Sequence, residues 1–598
     1  MTILPVAHQR LLSLMLLSGA LASIWTPVTF ADPPTVGSNN VAVADPLIPA
    51  PYTTPCTVTL FTNQQFADFN AKPFSYAPPS ACPGPWQKVV LSADYSVTMG
   101  RQFDRTAEIW LGGAIIYFGT TEEPSASLGQ SWHIERDLTD YSPLFATSQS
   151  GHADLGNFVG TSGGVNYTGI LYGTATLSFY PLAPTVFDHP PRPDALLPLS
   201  ASADGSTADL ASPSAQLSIT FSSLPTNIER AFLDVYAQSQ ASDEFWYTCV
   251  PDDVANALQS CGGTGFRETQ ISIDGQPAGV APVYPWIYTG GIDPYLWRPI
   301  PGVQTLAFEP YRVDLTPFAG VLDDGAAHTI ALSVFNTQDH FSTAANLLLY
   351  LDHGATQVTG TVTSNTLAAA PVPDVVENLA LQGADTNGTV TVTSNRQFAI
   401  AGSVTTSHGV VSTQVQQTLG FSNAQTFAIS DVLYSQHITQ GTTIDSTTTV
   451  TAGATVAITH EQRSYPLTVN IDYRVLSDGS ANQATVIDQD FSQSVSVGNQ
   501  GFAARNASLD NHVVTSDTLL ISASNQVTGT FDQGTTQTYA YADPFGVCYS
   551  RQIQAASGEL TAVADGQSCP GGTNTLSWFD AFANYGSSVT GATLQLLP

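Results

Sequence analysis

The sequence predicts an all-β protein made of several domains. Short runs of alternating apolar and polar residues recur along the chain, and Gly112-Gly113 and Gly163-Gly164 punctuate them as turns do. We find no long stretch with the apolar periodicity of an amphipathic helix. A length of 598 residues exceeds what one hydrophobic core usually serves, so we expect roughly three or four domains.

The N-terminus has the pattern of a secretory signal peptide. His8 and Arg10 precede an apolar run from Leu11 to Ile24, and a small-residue end predicts cleavage near Ala31, so that residues 1–31 form the signal. The apolar run is too short for a membrane span, and no later segment approaches about 20 apolar residues. We therefore expect a secreted or periplasmic protein without a membrane partner.

Composition divides the rest of the chain into four regions. Residues 32–54 are rich in Pro, Ala and Val and predict an extended leader. Alternating runs predict an antiparallel β domain over residues 55–182, and a Pro-rich break between Tyr180 and Pro193 separates it from a second β domain over 183–355. Residues 356–598, rich in Thr, Ser, Val, Gln and Gly, predict a C-terminal accessory region of one or two β modules.

The chain is strongly acidic, with 16 Lys and Arg against 48 Asp and Glu and a formal charge of −32. This charge argues against nucleic acids and anionic membranes as partners. It fits the solubility of an exported protein, and it also fits service in an acidic medium, where protonated carboxyl groups repel one another less. Composition leaves both interpretations open.

The cysteine count is even, as expected of disulfide bonding in an exported protein. Proximity along the chain predicts the pairs Cys56 with Cys82, Cys249 with Cys261, and Cys548 with Cys569. This pairing is one of 15 connectivities that six cysteines allow. If all six are bonded, a thiol nucleophile is excluded.

No motif indicates a metal or another cofactor. The eleven histidines show neither H-E-x-x-H nor a Cys/His ligand spacing. The segment from Gly160 to Gly164 matches the G-x-S-x-G pattern, but that motif requires a strand–turn–helix junction that the β-rich context does not supply. We interpret this segment as a loop.

Two segments of the first domain combine carboxylates with arginines. Asp104 lies between Arg101 and Arg105, a setting that favours the ionised carboxylate. Farther along, Glu135 and Asp137 share one face of a predicted strand because side chains alternate along a strand. Each carboxylate, taken alone, is equally compatible with a structural role on the surface or in an ion pair.

A third segment, from Asp243 to Pro299, concentrates acidic and aromatic residues. It begins with Asp243 and Glu244 just before Trp246, and it also contains Arg267, Glu268, Trp286, Trp297 and Arg298. A buried core rarely contains so many charges. Flat aromatic faces beside carboxylates and guanidinium groups suit a polar, ring-shaped ligand such as a sugar, so we expect a binding or catalytic cleft here.

The chain resembles the peptide:N-glycosidase A family from Thr54 to Asp352. The resemblance rests on segments that occur in the family's order: Pro55–Leu60, Gly100–Arg105, Asp243–Tyr247, Thr289–Pro294, Trp297–Pro299 and Val313–Phe318. It implies a metal-independent amidase that acts on N-glycosylated proteins or glycopeptides. Such an enzyme hydrolyses the β-aspartylglucosamine amide, releases the glycan as a glycosylamine and leaves Asp in place of Asn.

The sequence is also distantly similar to the F type of this activity, in which two adjacent jelly rolls hold an acid cluster at their interface. This similarity implies that residues 55–182 and 183–355 are jelly-roll domains. It implies that Asp104 is the primary catalytic acid, supported by Glu135 and Glu244. Three residues would hold chitobiose by this analogy, namely Arg105, Trp246 and Arg298. The further substrate-binding candidates are Asp243, Trp297 and Glu268, and Asp243 and Glu268 also compete with Glu244 as the second acid.

By this hypothesis Asp104 orients the attacking water or contacts the glycosidic nitrogen. Glu244 and Glu135 act as proton donor and substrate anchor, and Arg298 counters developing negative charge. A carboxylic acid that must stay protonated would favour acidic pH. Two alternatives remain, a non-catalytic secreted glycan-binding β protein and a glycoside hydrolase with paired carboxylates. The oligomeric state is left open.

Overall fold

The fold is that of a computed structural model, which describes residues 34–51, 53–182, 191–382, 385–499, 505–544 and 546–576. The chain is built almost entirely of β-strands, as predicted. The predicted signal peptide and residues 183–190 of the Pro-rich break lie outside the described residues. Residues 34–51 of the leader run without a strand or a helix.

The first domain consists of two four-stranded sheets and a small two-stranded ribbon. Its strands are β1 (Cys56–Phe66), β2 (Lys72–Tyr76), β3 (Trp86–Val97), β4 (Thr106–Leu111), β5 (Ala114–Thr120), β6 (Gln130–Asp137), β7 (Gln149–Asp154), β8 (Gly160–Ser162), β9 (Val165–Tyr167) and β10 (Leu171–Pro181). The sheet orders are β1-β10-β3-β6 and β2-β7-β4-β5, and β8 pairs with β9. In β10 alternate residues from Leu171 to Phe179 are buried, because one strand face covers the core.

The second domain consists of a five-stranded and a four-stranded sheet. Its strands are β11 (Ala195–Leu199), β12 (Ala208–Leu210), β13 (Leu217–Phe221), β14 (Ile228–Ser239), β15 (Glu268–Ile273), β16 (Gln276–Pro282), β17 (Tyr311–Asp314), β18 (His328–Phe335) and β19 (Phe341–Leu351). The sheet orders are β11-β19-β14-β17, with β12 beside β19, and β13-β18-β15-β16. The all-β class is therefore confirmed, whereas the jelly-roll arrangement stays a prediction.

The two domains share a buried interface. Strand β5 is buried at every residue, and β19 is buried at every residue except its last. The Asn346 side chain of β19 donates a hydrogen bond to the Ile115 carbonyl of β5 (2.8 Å), and the Phe118 and Tyr236 rings lie 5.8 Å apart. Most residues of these strands are apolar because both of their faces are covered. The interface fixes one domain against the other.

The C-terminal region forms one antiparallel sheet of eleven strands. They are β20 (Thr359–Asn365), β21 (Asp374–Gln382), β22 (Asp385–Thr406), β23 (Gly409–Ser430), β24 (Leu433–Ala452), β25 (Thr455–Val475), β26 (Ala481–Asn499), β27 (Arg505–Ile521), β28 (Val527–Ala542), β29 (Cys548–Ala556) and β30 (Glu559–Asp565). Side chains of this sheet also bind loops of the second domain. Asn423 and Gln425, for example, donate hydrogen bonds to the Tyr247 and Cys249 carbonyls.

Helices are few and short. They are α1 (Asp252–Leu258), α2 (Ala319–Leu322) and the 3₁₀ segments Thr139–Ala146, Ala241–Asp243, Trp246–Thr248, Thr316–Phe318 and Pro570–Gly572. Among the described residues, none of these helices combines the length and the apolar character that crossing a bilayer requires.

All six cysteines are bonded, in the pairs that their proximity predicted: Cys56–Cys82, Cys249–Cys261 and Cys548–Cys569. The pairing is therefore confirmed, and no thiol is left to act as a nucleophile. The Cys249–Cys261 bridge closes the loop that follows Trp246, so it stabilises the backbone beside one of the predicted site segments.

Candidate active site

Three acidic residues of the first domain meet because β4 and β5 form an antiparallel pair. Thr106 of β4 lies opposite Thr120 of β5, so the residues just before β4 face those just after β5. Backbone hydrogen bonds extend this pairing, since the Thr121 N–H donates to the Arg105 carbonyl (2.8 Å). Asp104 therefore lies beside Glu122 and Glu123, the two residues that closely follow β5.

The second domain contributes a glycine turn that joins these carboxylates. The Gly290 N–H donates to Asp104 Oδ2 (3.0 Å), and the Glu123 N–H donates to the Thr289 hydroxyl (2.7 Å). A Cβ atom at position 290 would lie 2.1 Å from Glu123 Oε2 and 3.1 Å from Asp104 Oδ1. Only glycine leaves room for both carboxylates to approach this point of the domain interface.

Glu244 of the second domain completes the group, directly after the 3₁₀ segment Ala241–Asp243. Burial, together with the negative charges of Asp104 and Glu123, raises the pKa of its carboxyl to about 7. Charges affect one another in this way only at short range inside a protein. We call Asp104, Glu122, Glu123 and Glu244 the acid cluster.

Burial dominates the electrostatics of the acid cluster. It raises the pKa of Asp104, against the lowering effects of the Gly290 N–H and the Arg105 guanidinium. It also raises the pKa of Glu123 to about 7 and that of Glu122 to about 8, and in both the neighbouring carboxylates add to the rise. The cluster therefore retains protons near neutral pH, so it can supply both a proton donor and a proton acceptor.

Two arginines border the acid cluster. The positive charge of Arg298 lowers the pKa values of Glu122 and Glu123, and its Nη2 donates to the Pro124 carbonyl (3.4 Å). Arg105 Nη2 donates to Gln102 Oε1 (2.6 Å), and its charge acts on Asp104. Within the described ranges, the Nε atoms of both arginines are buried and have no hydrogen-bond partner.

Comparison with known proteins identifies the family. The family model of peptide N-acetyl-β-D-glucosaminyl asparaginase amidase A matches residues 45–368. The chain belongs to this amidase family. It is 28% identical, over 545 residues, to peptide-N4-(N-acetyl-β-glucosaminyl)asparagine amidase A of Prunus dulcis, and the match covers 87% of this chain and 91% of the relative.

Solved structures of the F type are also similar, at lower identity. PNGF-II is 12% identical with a TM-score of 0.34, and the match covers 50% of this chain and 66% of that chain. PNGase F, a glycosylasparaginase from Flavobacterium meningosepticum, is 13% identical with a TM-score of 0.33, and the match covers 50% and 96%. At these scores the likeness supports no argument about the site.

Among the residues predicted for this amidase site, the structure brings together Asp104, Glu244, Arg105 and Arg298. It does not place Asp243 in the acid cluster, although Asp243 directly precedes Glu244 in the chain. The Asp243 side chain is 0% exposed and forms an ion pair with Arg267 (2.8 Å). It also accepts hydrogen bonds from the backbone N–H groups of residues 338–340. Asp243 is therefore a structural carboxylate, and this placement corrects its predicted substrate-binding role.

The two predicted tryptophans are also buried rather than open to a ligand. Trp246 is 1% exposed and Trp297 is 0% exposed. The Trp297 indole donates a hydrogen bond to the Gly291 carbonyl (3.0 Å), which fixes the glycine turn beside Asp104. Neither ring presents a free face for stacking on a sugar, so both tryptophans shape the loops of the site instead of holding chitobiose.

Glu268 lies on β15, where it forms an ion pair with Arg396 of the C-terminal sheet. The second domain and the C-terminal sheet are thereby joined by a buried salt bridge. Burial raises the pKa of Glu268 to about 7, with Arg396 acting in the opposite direction. Glu268 is committed to this contact, so its predicted role as a substrate ligand or second acid is replaced by a structural one.

Glu135 lies on β6, on the strand face that the alternation predicted. Its carboxylate accepts hydrogen bonds from the Ile48 N–H of the leader (2.7 Å) and from the Ser92 hydroxyl (3.2 Å). It also pairs with His133 (3.5 Å). The structure thus gives Glu135 the role of anchoring the leader and does not bring it into the acid cluster.

Sequence reasoning missed Glu122 and Glu123. A usable signal was present, because the apolar run of β5 follows the Gly112-Gly113 turn after β4 and ends just before the two glutamates. A tight hairpin at that turn places the end of β5 beside the start of β4, and hence the two glutamates beside Asp104. Within the described ranges, neither Glu122 oxygen has a hydrogen-bond partner, although the residue is 1% exposed.

Proposed function

We propose that the acid cluster hydrolyses the amide bond between the innermost GlcNAc of an N-glycan and the Asn of a glycoprotein or glycopeptide. The products would be a glycosylamine and an Asp residue. One observation carries the proposal: Asp104 and Glu123 of the first domain converge on Gly290 of the second, and the charges of both act on Glu244. Membership of the amidase family supports the same reaction.

The reaction needs a water molecule that attacks the amide carbon. In our proposal the ionised Asp104 accepts a proton from this water as the new C–O bond forms. The Gly290 N–H fixes the orientation of the Asp104 carboxylate for this step. The negative charge that develops on the carbonyl oxygen is countered by the guanidinium charge of Arg298 or Arg105, both of which act on the acid cluster.

The C–N bond then breaks, and the departing nitrogen takes up a proton. Glu244 and Glu123 supply it, because at neutral and mildly acidic pH a carboxyl with a pKa near 7 holds a proton for much of the time. In this scheme Glu123 takes the supporting position that the resemblance assigned to Glu135. The requirement for a protonated acid favours activity at acidic to neutral pH.

Buried Glu122 tunes the charge of the acid cluster. Because Glu122 interacts electrostatically with Glu123, Asp104 and Arg298, its protonation changes the charge that these neighbours experience. At pH values below about 8 a neutral Glu122 limits the total negative charge of the site. This allows Asp104 to ionise while another carboxyl keeps its proton.

The proposed substrates are N-glycosylated proteins met outside the cytoplasm. The three disulfides fit an oxidising compartment, and the N-terminal pattern fits export to the periplasm or the medium.

Peptide mass after incubation with a glycopeptide at pH 4–8 tests the proposed reaction. An amidase removes the whole glycan and leaves Asp in place of Asn. A glycan-binding protein would leave the mass unchanged, and a glycoside hydrolase would leave a sugar on the peptide. Either of these two results overturns the proposal.

A further inference from the structure

The loop of residues 290–299 carries two groups of the proposed site. At its start the Gly290 N–H donates to Asp104, and near its end the charge of Arg298 acts on Glu122 and Glu123. The loop forms neither a helix nor a strand. Its buried carbonyls therefore need hydrogen-bond donors from other parts of the chain, and these donors fix where the loop lies. We call residues 290–299 the arginine loop.

Side chains of the C-terminal sheet supply these donors. Thr515 of β27 lies opposite Thr535 of β28, and both hydroxyls donate to the Leu296 carbonyl (2.8 and 2.9 Å). The Gln533 side-chain amide of β28 donates to the carbonyl of Arg298 itself (3.0 Å). None of the three donor side chains is more than 5% exposed. The sheet thus holds the backbone from which the guanidinium group extends.

A β-bulge sets the position of Gln533. The pairing of β27 with β28 shifts between Ser516 and Thr518, where β28 contains one extra residue. Asp532 in this bulge has a φ of 59°, in the left-handed region that residues other than glycine rarely adopt. The Gly558 N–H donates to Gln533 Oε1 (2.8 Å), which leaves the NH₂ group directed at the arginine loop. Bulges beside active sites commonly re-aim a side chain in this way.

A pair of carboxyl groups adds a further contact between the sheet and the arginine loop. Asp293 of the loop is 0% exposed, and Asp517 of β27 is 2% exposed. Burial, together with the charge and the hydrogen bond of Asp517, raises the pKa of Asp293 against the effect of the Arg298 charge. Adjacent carboxyl groups that share a proton attract instead of repelling. Arg298 thus interacts with Glu122 and Glu123 of the first domain and with Asp293 of its own loop.

We propose that Gln533, Thr515 and Thr535 are positioning residues for the hydrolysis, an inference that rests on the proposed function. Their hydrogen bonds hold the arginine loop so that Arg298 acts on the acid cluster. The C-terminal sheet, which the sequence predicted as an accessory region, thereby takes part in catalysis. Because Arg298 counters a charge that develops only as the amide reacts, a small displacement of the loop slows the reaction more than it weakens substrate binding.

Replacing Gln533 tests the proposal most directly. Gln533→Met keeps the length of the side chain and removes the donor, so kcat for glycopeptide hydrolysis should fall about tenfold while KM changes less than about twofold. The matched control is Gln417→Met. The Gln417 amide joins β23, four strands from β27 in the sheet, to the Tyr311 hydroxyl of the second domain (2.9 Å). The control should change kcat less than about twofold, and equal losses in the two variants overturn the proposal.

A double variant shows whether Gln533 acts through Arg298. Arg298→Ala removes the guanidinium group that the loop positions. Adding Gln533→Met to Arg298→Ala should therefore lower kcat by less than about twofold, instead of about tenfold. A further tenfold fall in the Arg298→Ala background would show that Gln533 acts on the fold in general, and this result overturns the proposal.

The pH dependence of kcat gives a readout that a loss of stability alone does not move. The Arg298 charge lowers the pKa of Glu123, so moving Arg298 away lets this pKa rise. Since Glu123 must be protonated to donate, the alkaline limb of the Gln533→Met profile should lie at higher pH, by roughly half a unit. A limb that stays in place or moves to lower pH overturns the proposal.

The two threonines allow a conservative rescue, and they provide the test if Gln533→Met does not fold. Thr515→Val combined with Thr535→Val removes both donors from the Leu296 carbonyl with little change of shape, so kcat should fall about fivefold. Thr515→Ser combined with Thr535→Ser keeps both hydroxyls, and kcat should stay within about twofold of the unmodified chain. Unchanged kcat in the valine pair, or equal losses in both pairs, overturns the role of the threonines.

Hydrogen exchange separates this inference from the proposed function, because it needs no substrate. The backbone amides of residues 290–299 should exchange about tenfold faster in Gln533→Met than in the unmodified chain or in Gln417→Met. If they do and the unmodified chain releases no glycan, the proposed function fails and the hold of the sheet on the loop stands. If glycan is released and Gln533→Met matches the unmodified chain in exchange and in kcat, the inference fails and the proposed function stands.

Discussion

Asp243 and Glu244 are neighbours in sequence but lie in opposite environments. Asp243 is paired with buried Arg267 and accepts several backbone hydrogen bonds, and the Arg267 charge holds its pKa below the usual value against the effect of burial. Glu244 lies near other carboxylates, and burial raises its pKa to about 7. A saturated carboxylate stabilises the fold, whereas one with few partners keeps its capacity to bind and transfer protons.

The same contrast recurs across the domain interface. Away from the acid cluster, Arg312 joins Asp234 (2.6 Å) and Asp140 (2.7 Å) in a network that connects the two domains. At the acid cluster the carboxylates outnumber their cationic partners, and the pKa values rise. The interface thus contains one region that holds the domains together and one whose carboxyl groups have raised pKa values.

Breaking the buried ion pair between Asp243 and Arg267 should have the largest effect on stability. Asp243→Ala leaves the buried Arg267 charge and several backbone donors without a partner, so we expect the free energy of unfolding to fall by about 3–5 kcal/mol. Chemical denaturation measures this change. Asp253→Ala, in the exposed first turn of α1, is the control and should change it by less than about 0.5 kcal/mol. Unchanged stability in Asp243→Ala would contradict its structural role.

Altering the acid cluster should lower activity and leave stability unchanged. Glu123→Gln keeps the shape of the side chain but removes its proton transfer, so kcat for glycopeptide hydrolysis should fall about a hundredfold without loss of stability. Glu135→Gln is the matched variant, because Glu135 binds the leader and not the cluster. The kcat of Glu135→Gln should stay within about threefold of that of the unmodified chain. The reverse result would return the supporting role to Glu135.

The protonation of Glu122 should make the stability of the fold depend on pH. Its pKa rises from 4.5 to about 8, mainly through burial, so the folded chain holds this proton more tightly than the unfolded chain. Stability should therefore fall as the pH rises from about 4.5 to about 8. Glu122→Gln removes this loss and should raise the free energy of unfolding at pH 8 by on the order of 2 kcal/mol, with little change at pH 4. Denaturation at both pH values measures it, and an equal change at both would refute the assignment.

The smallest expected effect comes from the glycine turn. The new methyl group of Gly290→Ala would lie 2.1 Å from Glu123 Oε2, which must move away. Since this oxygen ends a flexible side chain, we expect stability to change little and kcat to fall about tenfold. Gly275→Ala tests for a general backbone effect, because no atom lies within 4 Å of its added Cβ, although its positive φ adds some strain. Unchanged kcat in Gly290→Ala would show that the contact does not matter.

The sequence predicted the all-β class, the disulfide pairs and part of the site, because these depend on local patterns and on short matching segments. Asp104 and Glu244 were predicted as site residues and lie together in the structure. Glu123 was missed because its approach to Asp104 depends on the pairing of β4 with β5 and on the meeting of two domains. The Gly112-Gly113 turn indicates the pairing of β4 with β5, but no local pattern indicates how the two domains meet.

The aromatic residues were the hardest to interpret from sequence. Trp246 and Trp297 are of the residue type that stacks on sugar rings, yet tertiary packing buries both. Phe103 attracted attention only as the neighbour of Asp104, yet it is exposed. A sequence shows which side chains are aromatic, but the layers that cover them decide which faces remain open. For Glu135 the strand face was predicted correctly, and the leader that covers that face was not foreseen.

The most direct test of the acid cluster is the rate of glycopeptide hydrolysis by Asp104→Asn. The substitution keeps the size of the side chain and removes the carboxylate that accepts a proton from water in our proposal. We expect kcat/KM to fall by roughly 10²–10⁴-fold, while the fold and the thermal transition stay unchanged. Hydrolysis within a few-fold of the unmodified chain would contradict the central role of Asp104 and of the cluster built around it.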